Sequence, residues 1–336
     1  MRPMDGVRKL EKKYIEKISQ DNFIDLMPYF YEMESTFLSG IYKRYGDLEK
    51  GNIVIFFARD LHLKILRKRE INLSFDLSLD EFWHNHKNVI QSKKKIITIA
   101  KGVGLPRETV RRKILRLIKE KHIKKTEKNT IFWEPDSKSK DSYIEIIREQ
   151  INSLSKFIFQ QSKLISLNIP LFKIEKEIKN NYSFYWYHYL NTQLQYIKFW
   201  QEQFKDLEML LIGLQTLIQT VRYLKTTGKF QTFDSFTISK ISKGTAFPNI
   251  KNANISATSI SEVTGIPRAN CIRKLEKYVK MKVLEKDPLT KRYYLVPTQL
   301  SIVSTSSSSN ILLDGIKNTT SIFSEFSSIL LKSLAK

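Results

Sequence analysis

One cysteine, Cys271, stands in 336 residues, which excludes a disulfide framework and a cysteine-built zinc site. Long apolar runs are missing too. The longest strongly apolar stretch is 209–214, far short of the roughly 20 residues a membrane-spanning helix needs. The opening Met1-Arg2-Pro3-Met4-Asp5-Gly6 lacks the apolar core of a secretory signal, so a cytoplasmic protein is expected. Neither a GxxxxGKS/T nor a GxGxxG run occurs, which leaves phosphate-loop chemistry without support. Acids are scarce, 34 Asp and Glu against 57 Lys and Arg, for a net charge of +23. They are also scattered, with no carboxylate pair at catalytic spacing, so the expectation is a protein that is not an enzyme and carries no cofactor. The content is 41% hydrophobic and 12% aromatic, enough for real cores in two or three domains. A chain so basic calls for a polyanionic partner.

An internal repeat is the strongest positive signal. Residues 104–125, GLPRETVRRKILRLIKEKHIKK, match residues 265–286, GIPRANCIRKLEKYVKMKVLEK, at an offset of 161. Identical pairs include Gly104/Gly265, Pro106/Pro267, Arg107/Arg268, Arg112/Arg273, Lys113/Lys274 and Lys125/Lys286, more than chance supplies in 22 positions. A fainter echo lies upstream at an offset of 159, where Asp47-Leu48-Glu49 aligns with Asp206-Leu207-Glu208. Each unit thus combines a long helical lead with a compact basic module, roughly 20–135 and 180–298.

Within the first module, 98–103 predicts a short helix, Gly104 a tight turn, and Pro106 the start of a second helix over 106–121. Val110, Ile114, Leu117 and Ile118 share one face of that helix. Residues 123–126 and 130–133 then predict a β-hairpin. The second module repeats the order with 259–264, 267–282 and a hairpin over 283–286 and 292–296, and Cys271 stands at the buried Val110 position. Helix, turn, helix and hairpin is the order of a winged helix-turn-helix. The expected fold class is therefore mainly α, two tandem winged helix-turn-helix modules with small β-hairpin wings, joined and preceded by long helices over about 10–50, 142–166 and 184–228. The segments expected are 1–135 (N-terminal helices and first module), 136–180 (linker and connecting helix), 181–298 (long helices and second module) and 299–336 (Ser-rich linker and amphipathic helix).

The stretch Gly104-Leu105-Pro106-Arg107-Glu108-Thr109-Val110-Arg111-Arg112 resembles the recognition helix of Crp/Fnr-type and related winged helix-turn-helix bacterial regulators. The resemblance covers about 40 residues per copy and implies Arg107, Glu108 and Arg112 as the base-reading set. The Gly-rich β-barrel sensor of that family is missing, so control by a cyclic nucleotide does not carry over. The second copy keeps Arg268 and Arg273 but has Ala269 in place of the acid, which implies a different sequence preference.

The chemistry suits duplex DNA. Arg107 and Arg112 can donate bidentately to guanine O6 and N7, and Glu108 can accept from cytosine N4. Thirteen Lys and Arg fall between 93 and 125 against two acids, and nine between 265 and 292 against three, which supplies charge for phosphates and makes the first module the stronger binder. The candidate DNA-facing residues are Arg107, Glu108, Arg111, Arg112, Lys124, Lys125 and Lys128 in the first module. In the second they are Arg268, Asn270, Arg273, Lys274, Lys291 and Arg292, with Lys286 touching the flanking backbone.

The leading expectation is a nucleoid-associated transcriptional regulator that reads two half-sites about 34 Å apart in double-stranded DNA. Two alternatives stay open: a replication initiator resembling plasmid or phage Rep proteins, and a winged-helix scaffold that docks proteins. The long helices or residues 311–335 are candidates for a homodimer contact, and 311–335 has too thin a basic face for anionic lipid, which favours oligomerisation or a cap on the core. His84-Asn85-His86 has no acid or cysteine at ligand spacing, and no metal is expected. The aromatics of 184–189 and 199–200 fit a packed helix interface.

Overall fold

The structure, a computed structural model, describes residues 10–72, 77–134, 140–228, 232, 250–295 and 311–335. Most of the expected polar linker (135–139), the Ser-rich stretch 299–310 and Val296 of the second hairpin lie outside the described residues. The fold is mainly α with two small antiparallel hairpins. Helices α1 (Lys12–Asp21), α2 (Phe23–Tyr45), α3 (Leu48–Ile71), α4 (Leu79–Asn85), α5 (Ile96–Val103) and α6 (Arg107–Lys119) lead to β1 (Ile123–Lys125) and β2 (Ile131–Trp133). Next come α7 (Lys140–Leu164), α8 (Leu171–Asn180), α9 (Tyr182–Phe204), α10 (Leu207–Thr227), α11 (Ala257–Thr264) and α12 (Arg268–Lys280). Strands β3 (Leu284–Lys286) and β4 (Tyr293–Leu295) and helix α13 (Ile311–Leu334) complete it.

The long helices expected over 10–50 and 184–228 are each interrupted, and the cause is local. After α2, Gly46 turns left-handed (φ 62°) and the Asp47 carboxylate accepts the Lys50 amide at 3.0 Å, starting α3. After α9, Lys205 takes the same turn (φ 52°) and Asp206 accepts the Glu208 amide at 3.1 Å, starting α10. A carboxylate at the N-cap satisfies amides that no helical carbonyl can reach.

The hairpins pair Ile123 with Trp133 and Leu284 with Leu295. Their first strands match at an offset of 161 and their second at 162, so the second hairpin loop is one residue longer. One further rung joins each: Lys94 bridges Ile131, and Ile255 bridges Tyr293.

Compactness divides the chain differently from the sequence segments. One unit holds Arg44–Ser155 and Ile169–Lys205 and contains the first module; we call it the N-module unit. The other holds Met1–Lys43, Lys156–Asn168 and Asp206–Lys336 and contains the second; we call it the C-module unit. Within the N-module unit α9 packs along α3: Arg59 Nη1 donates to Asn191 Oδ1 (3.1 Å), and the Arg69 guanidinium lies over Phe184. Within the C-module unit α2 meets α10: Gln215 Nε2 donates to Ser35 Oγ (2.8 Å) and Arg222 Nε to Glu32 Oε1 (3.1 Å). Glu32 and Asn191 are equivalent positions at the 159 offset, and their partners Arg222 and Arg59 differ from that offset by one helical turn. The long helix of each repeat therefore packs on the other repeat's module. Module turns repeat the exchange: a Cβ added at Gly104 would meet Lys198 Cγ of α9 at 3.4 Å, and one at Gly265 would meet Lys43 Cγ of α2 at 3.4 Å.

Aromatic side chains fill the N-module unit, as the helical spacing of 184–189 leads one to expect: Tyr182, Tyr185, Trp186, Tyr189, Tyr196 and Trp200 of α9 are buried. His62 of α3 sits among them, stacked on Phe82 at 4.6 Å and edge-on to Tyr182 at 5.3 Å. It is fully buried, and neither ring nitrogen has a hydrogen-bond partner among the described residues. Burial, with a smaller push from His86, lowers its pKa to about 3. Acid should therefore cost stability. The unfolded imidazole takes a proton as pH falls through about 6.5, which the folded ring refuses until pH approaches 3, so stability is complete above 6.5 and is lost toward 3. Between pH 7 and 4.5 His62 alone is expected to remove about 2–3 kcal/mol. Urea unfolding at both pH values should show the decrement shrink by that amount in His62→Phe; an unchanged decrement would remove His62 as its source.

Helix α13 packs on α1 inside the C-module unit, with Lys332 donating to Glu11 (2.8 Å) and Phe323 edge-on to Phe30 at 4.8 Å. Phe323, Phe326, Leu330 and Leu331 are buried there. Over 315–335 the apolar face expected for a homodimer contact is thus packed within its own unit, where α13 caps the core. No helix among the described residues is long and apolar enough to cross a membrane.

Candidate nucleic-acid interface

Each module presents one helix outward, and its sequence explains how. Gly104 (φ 72°) ends α5 with its amide donating to Ala100 O (3.0 Å), a left-handed turn that only glycine adopts without strain. Pro106 follows at the N-cap of α6, its carbonyl accepting the Val110 amide (3.0 Å). Gly265 (φ 76°) and Pro267 do the same for α11 and α12. Buried Val110, Ile114 and Leu117 hold the inner face of α6, and Cys271, Leu275 and Tyr278 that of α12. The Cys271 thiol is fully buried and burial pushes its pKa up to about 11, so it packs as a small apolar group.

The outer face of α6 carries Arg107, Glu108, Arg111 and Arg112, all exposed. Glu108 and Arg111 are engaged with each other: Arg111 Nη2 donates to Glu108 Oε1 at 2.7 Å and Nε to both oxygens at 3.0 Å. These bonds hold the Glu108 carboxyl below the usual range. Arg107 and Arg112 have no hydrogen-bond or ion-pair partner among the described residues. Arg116 and Lys119 extend the Arg112 flank along the helix, exposed and equally unpartnered. Their i+4 and i+7 spacing from Arg112 puts all three on one flank of the helix, a pattern legible in the sequence.

The second module differs in detail. Arg268 Nε donates to Thr258 Oγ1 (3.0 Å), Arg273 is exposed and unpartnered among the described residues, and Asn270 is half-buried. Lys274 is a correction. It is only 7% exposed, and its ammonium pairs with Asp206 (2.6 Å) and Glu208 (3.0 Å). Its equivalent Lys113 pairs with Asp47 and with Glu49 (3.0 Å). The conserved-offset Asp-Leu-Glu echo and the repeated lysine are thus one device, a strut that fixes α6 to α3 and α12 to α10, and Lys274 leaves the DNA-facing set.

On the hairpins, Lys124 donates to Glu134 (3.0 Å) and Lys286 to Glu276 (2.6 Å), while Lys125 and Lys128 are exposed and unpartnered among the described residues. Lys291 is exposed, and Arg292 Nη1 donates to Asn254 Oδ1 at 3.2 Å. Glu134 is the diagonal cross-strand neighbour of Lys124 in the hairpin register, whereas Asn254 stands 38 residues from Arg292, beyond any local spacing rule.

Among the described residues no group of three His, Cys, Asp or Glu could hold a metal. His86 is buried with Nδ1 donating to Trp83 O (2.8 Å), and His84 Nδ1 donates to Asp80 O (2.9 Å). No protein-family model, curated protein or solved structure matches the chain.

Proposed function

We propose that the chain binds double-stranded DNA sequence-specifically through two winged helix-turn-helix modules and acts as a transcriptional regulator. The observation that carries this reading is the outer face of α6. Two exposed, unpartnered guanidiniums, Arg107 and Arg112, flank a helix whose inner face is fully packed. A solvent-facing cation with no internal partner is free for a guanine edge, and its neighbours Arg116 and Lys119 for phosphate. The Glu108–Arg111 pair, in turn, sets a threshold: Glu108 reads cytosine only after Arg111 swings to a phosphate. In the second module Arg273 is the corresponding free guanidinium, and Arg268 must leave Thr258 to read.

Arg112→Ala tests the reading. Selection of duplexes from a random library should show relaxed preference at one base pair, with affinity for the parent site reduced by about 1–3 kcal/mol. An unchanged preference would exclude Arg112 from the reading set.

A further inference from the structure

The two hairpin loops are built for different work. The first, 126–130, reads Thr-Glu-Lys-Asn-Thr and closes with Thr126 Oγ1 and Thr130 Oγ1 2.7 Å apart; it carries no apolar side chain. The second, one residue longer, reads Asp287-Pro288-Leu289-Thr290-Lys291-Arg292. Asp287 Oδ1 accepts the amides of Leu289 (2.8 Å) and Thr290 (2.7 Å), the Asp287 amide donates to Arg292 O (2.8 Å), and the Lys291 amide donates to Asp287 O (3.0 Å). Pro288 removes one more freedom by fixing its own φ. The hairpin base is braced on α12, where Glu276 Oε1 accepts both Lys286 Nζ (2.6 Å) and the Tyr293 hydroxyl (2.7 Å). At the tip of this braced loop Leu289 is 89% exposed, between exposed Lys291 and Arg292 on one side and Pro288 on the other.

An apolar side chain held rigidly in water with cations beside it matches one surface well: the minor groove of duplex DNA, where phosphates flank and base-pair faces offer an apolar slot. We infer that Leu289 is a wedge that enters the minor groove next to the site read by α12 and partly unstacks one base step. Lys291, joined by Arg292 once it leaves Asn254, holds the phosphates beside that step. Wedges of this chemistry kink DNA toward the major groove, and pyrimidine–purine steps yield most easily. Since the first loop has no such side chain, the bend is confined to the second module's half-site. The inference rests on the DNA-binding reading above and adds to it a deformable step as part of the target.

The test uses the full chain and a duplex of about 40 base pairs enriched by it from a random library, labelled at both ends for energy transfer and carrying 2-aminopurine at successive positions. Wild type should raise transfer and brighten 2-aminopurine at a single step in the second half-site. Leu289→Ala should lose most of both signals and bind about tenfold more weakly, while Leu289→Met keeps them. Because Leu289 contributes nothing to a core, circular dichroism should show both variants folded as wild type. Undiminished transfer and an unchanged 2-aminopurine pattern in Leu289→Ala would overturn the wedge and leave DNA binding standing, an outcome that also fits a protein-docking leucine. Failure of wild type to enrich any duplex would overturn both.

Discussion

Severing the chain within 135–139 is expected to yield two pieces that fold only in each other's presence. The N-terminal piece keeps α3 and the first module but loses α9, and with it the contacts of Tyr182, Tyr185, Trp186, Tyr189, Leu190, Ile197 and Trp200. At up to about 1.5–3 kcal/mol for each buried side chain, that loss is as large as the whole net stability of about 5–15 kcal/mol typical of a domain. The C-terminal piece keeps α10 and the second module but loses α2, including Glu32 and Ser35 against Arg222 and Gln215. Each piece expressed alone should aggregate or show no cooperative unfolding; co-expressed, they should elute together with the helicity of the intact chain. A cooperatively folded N-terminal piece on its own would refute the reciprocal packing as the source of stability.

If the chain binds DNA as proposed, its affinity should fall steeply with salt. Arg107, Arg112, Arg116, Lys119, Lys125 and Lys128 are exposed and unpartnered among the described residues in the first module, and Arg273 and Lys291 present further charge in the second. If roughly six or more of them meet phosphates, each releases counterions, and affinity falls about a thousandfold or more between roughly 50 and 200 mM salt. Fluorescence anisotropy on one fixed duplex measures the slope. Arg116→Ala should lower its magnitude by about one, whereas Lys113→Met and Lys274→Met, which remove charges already neutralised by carboxylates, should leave it unaltered wherever the protein stays folded. A flat slope would contradict a multi-phosphate interface.

What the sequence disclosed, and what it withheld, follows from the range of the forces involved. Local rules located the modules: Gly104 and Gly265 turn, Pro106 and Pro267 open the next helix, and the boundaries fall within a residue or two of the periodicity. Asp47 and Asp206 align in the sequence, yet their role as caps that break the long helices rests on a single acid after a turn, which helical periodicity does not register. Helical patterning shows that α3 and α9 are apolar over much of their surface but carries no sign of which helix covers which, so the exchange between repeats was not legible. In the site, the i, i+3 spacing of Glu108 and Arg111 anticipates their pairing. Burial of Lys274 does not follow from any spacing, because its carboxylates lie some 68 residues away along the chain.

Exchange of the long helices also shapes how such a gene can change. A stop codon anywhere ahead of α9 deprives the first module of its cover and deletes the second outright, so shortening to one repeat leaves no serviceable half. Reciprocal packing thus ties the two copies together, while their outward residues differ, Glu108 against Ala269 and an all-polar loop against a leucine-tipped one.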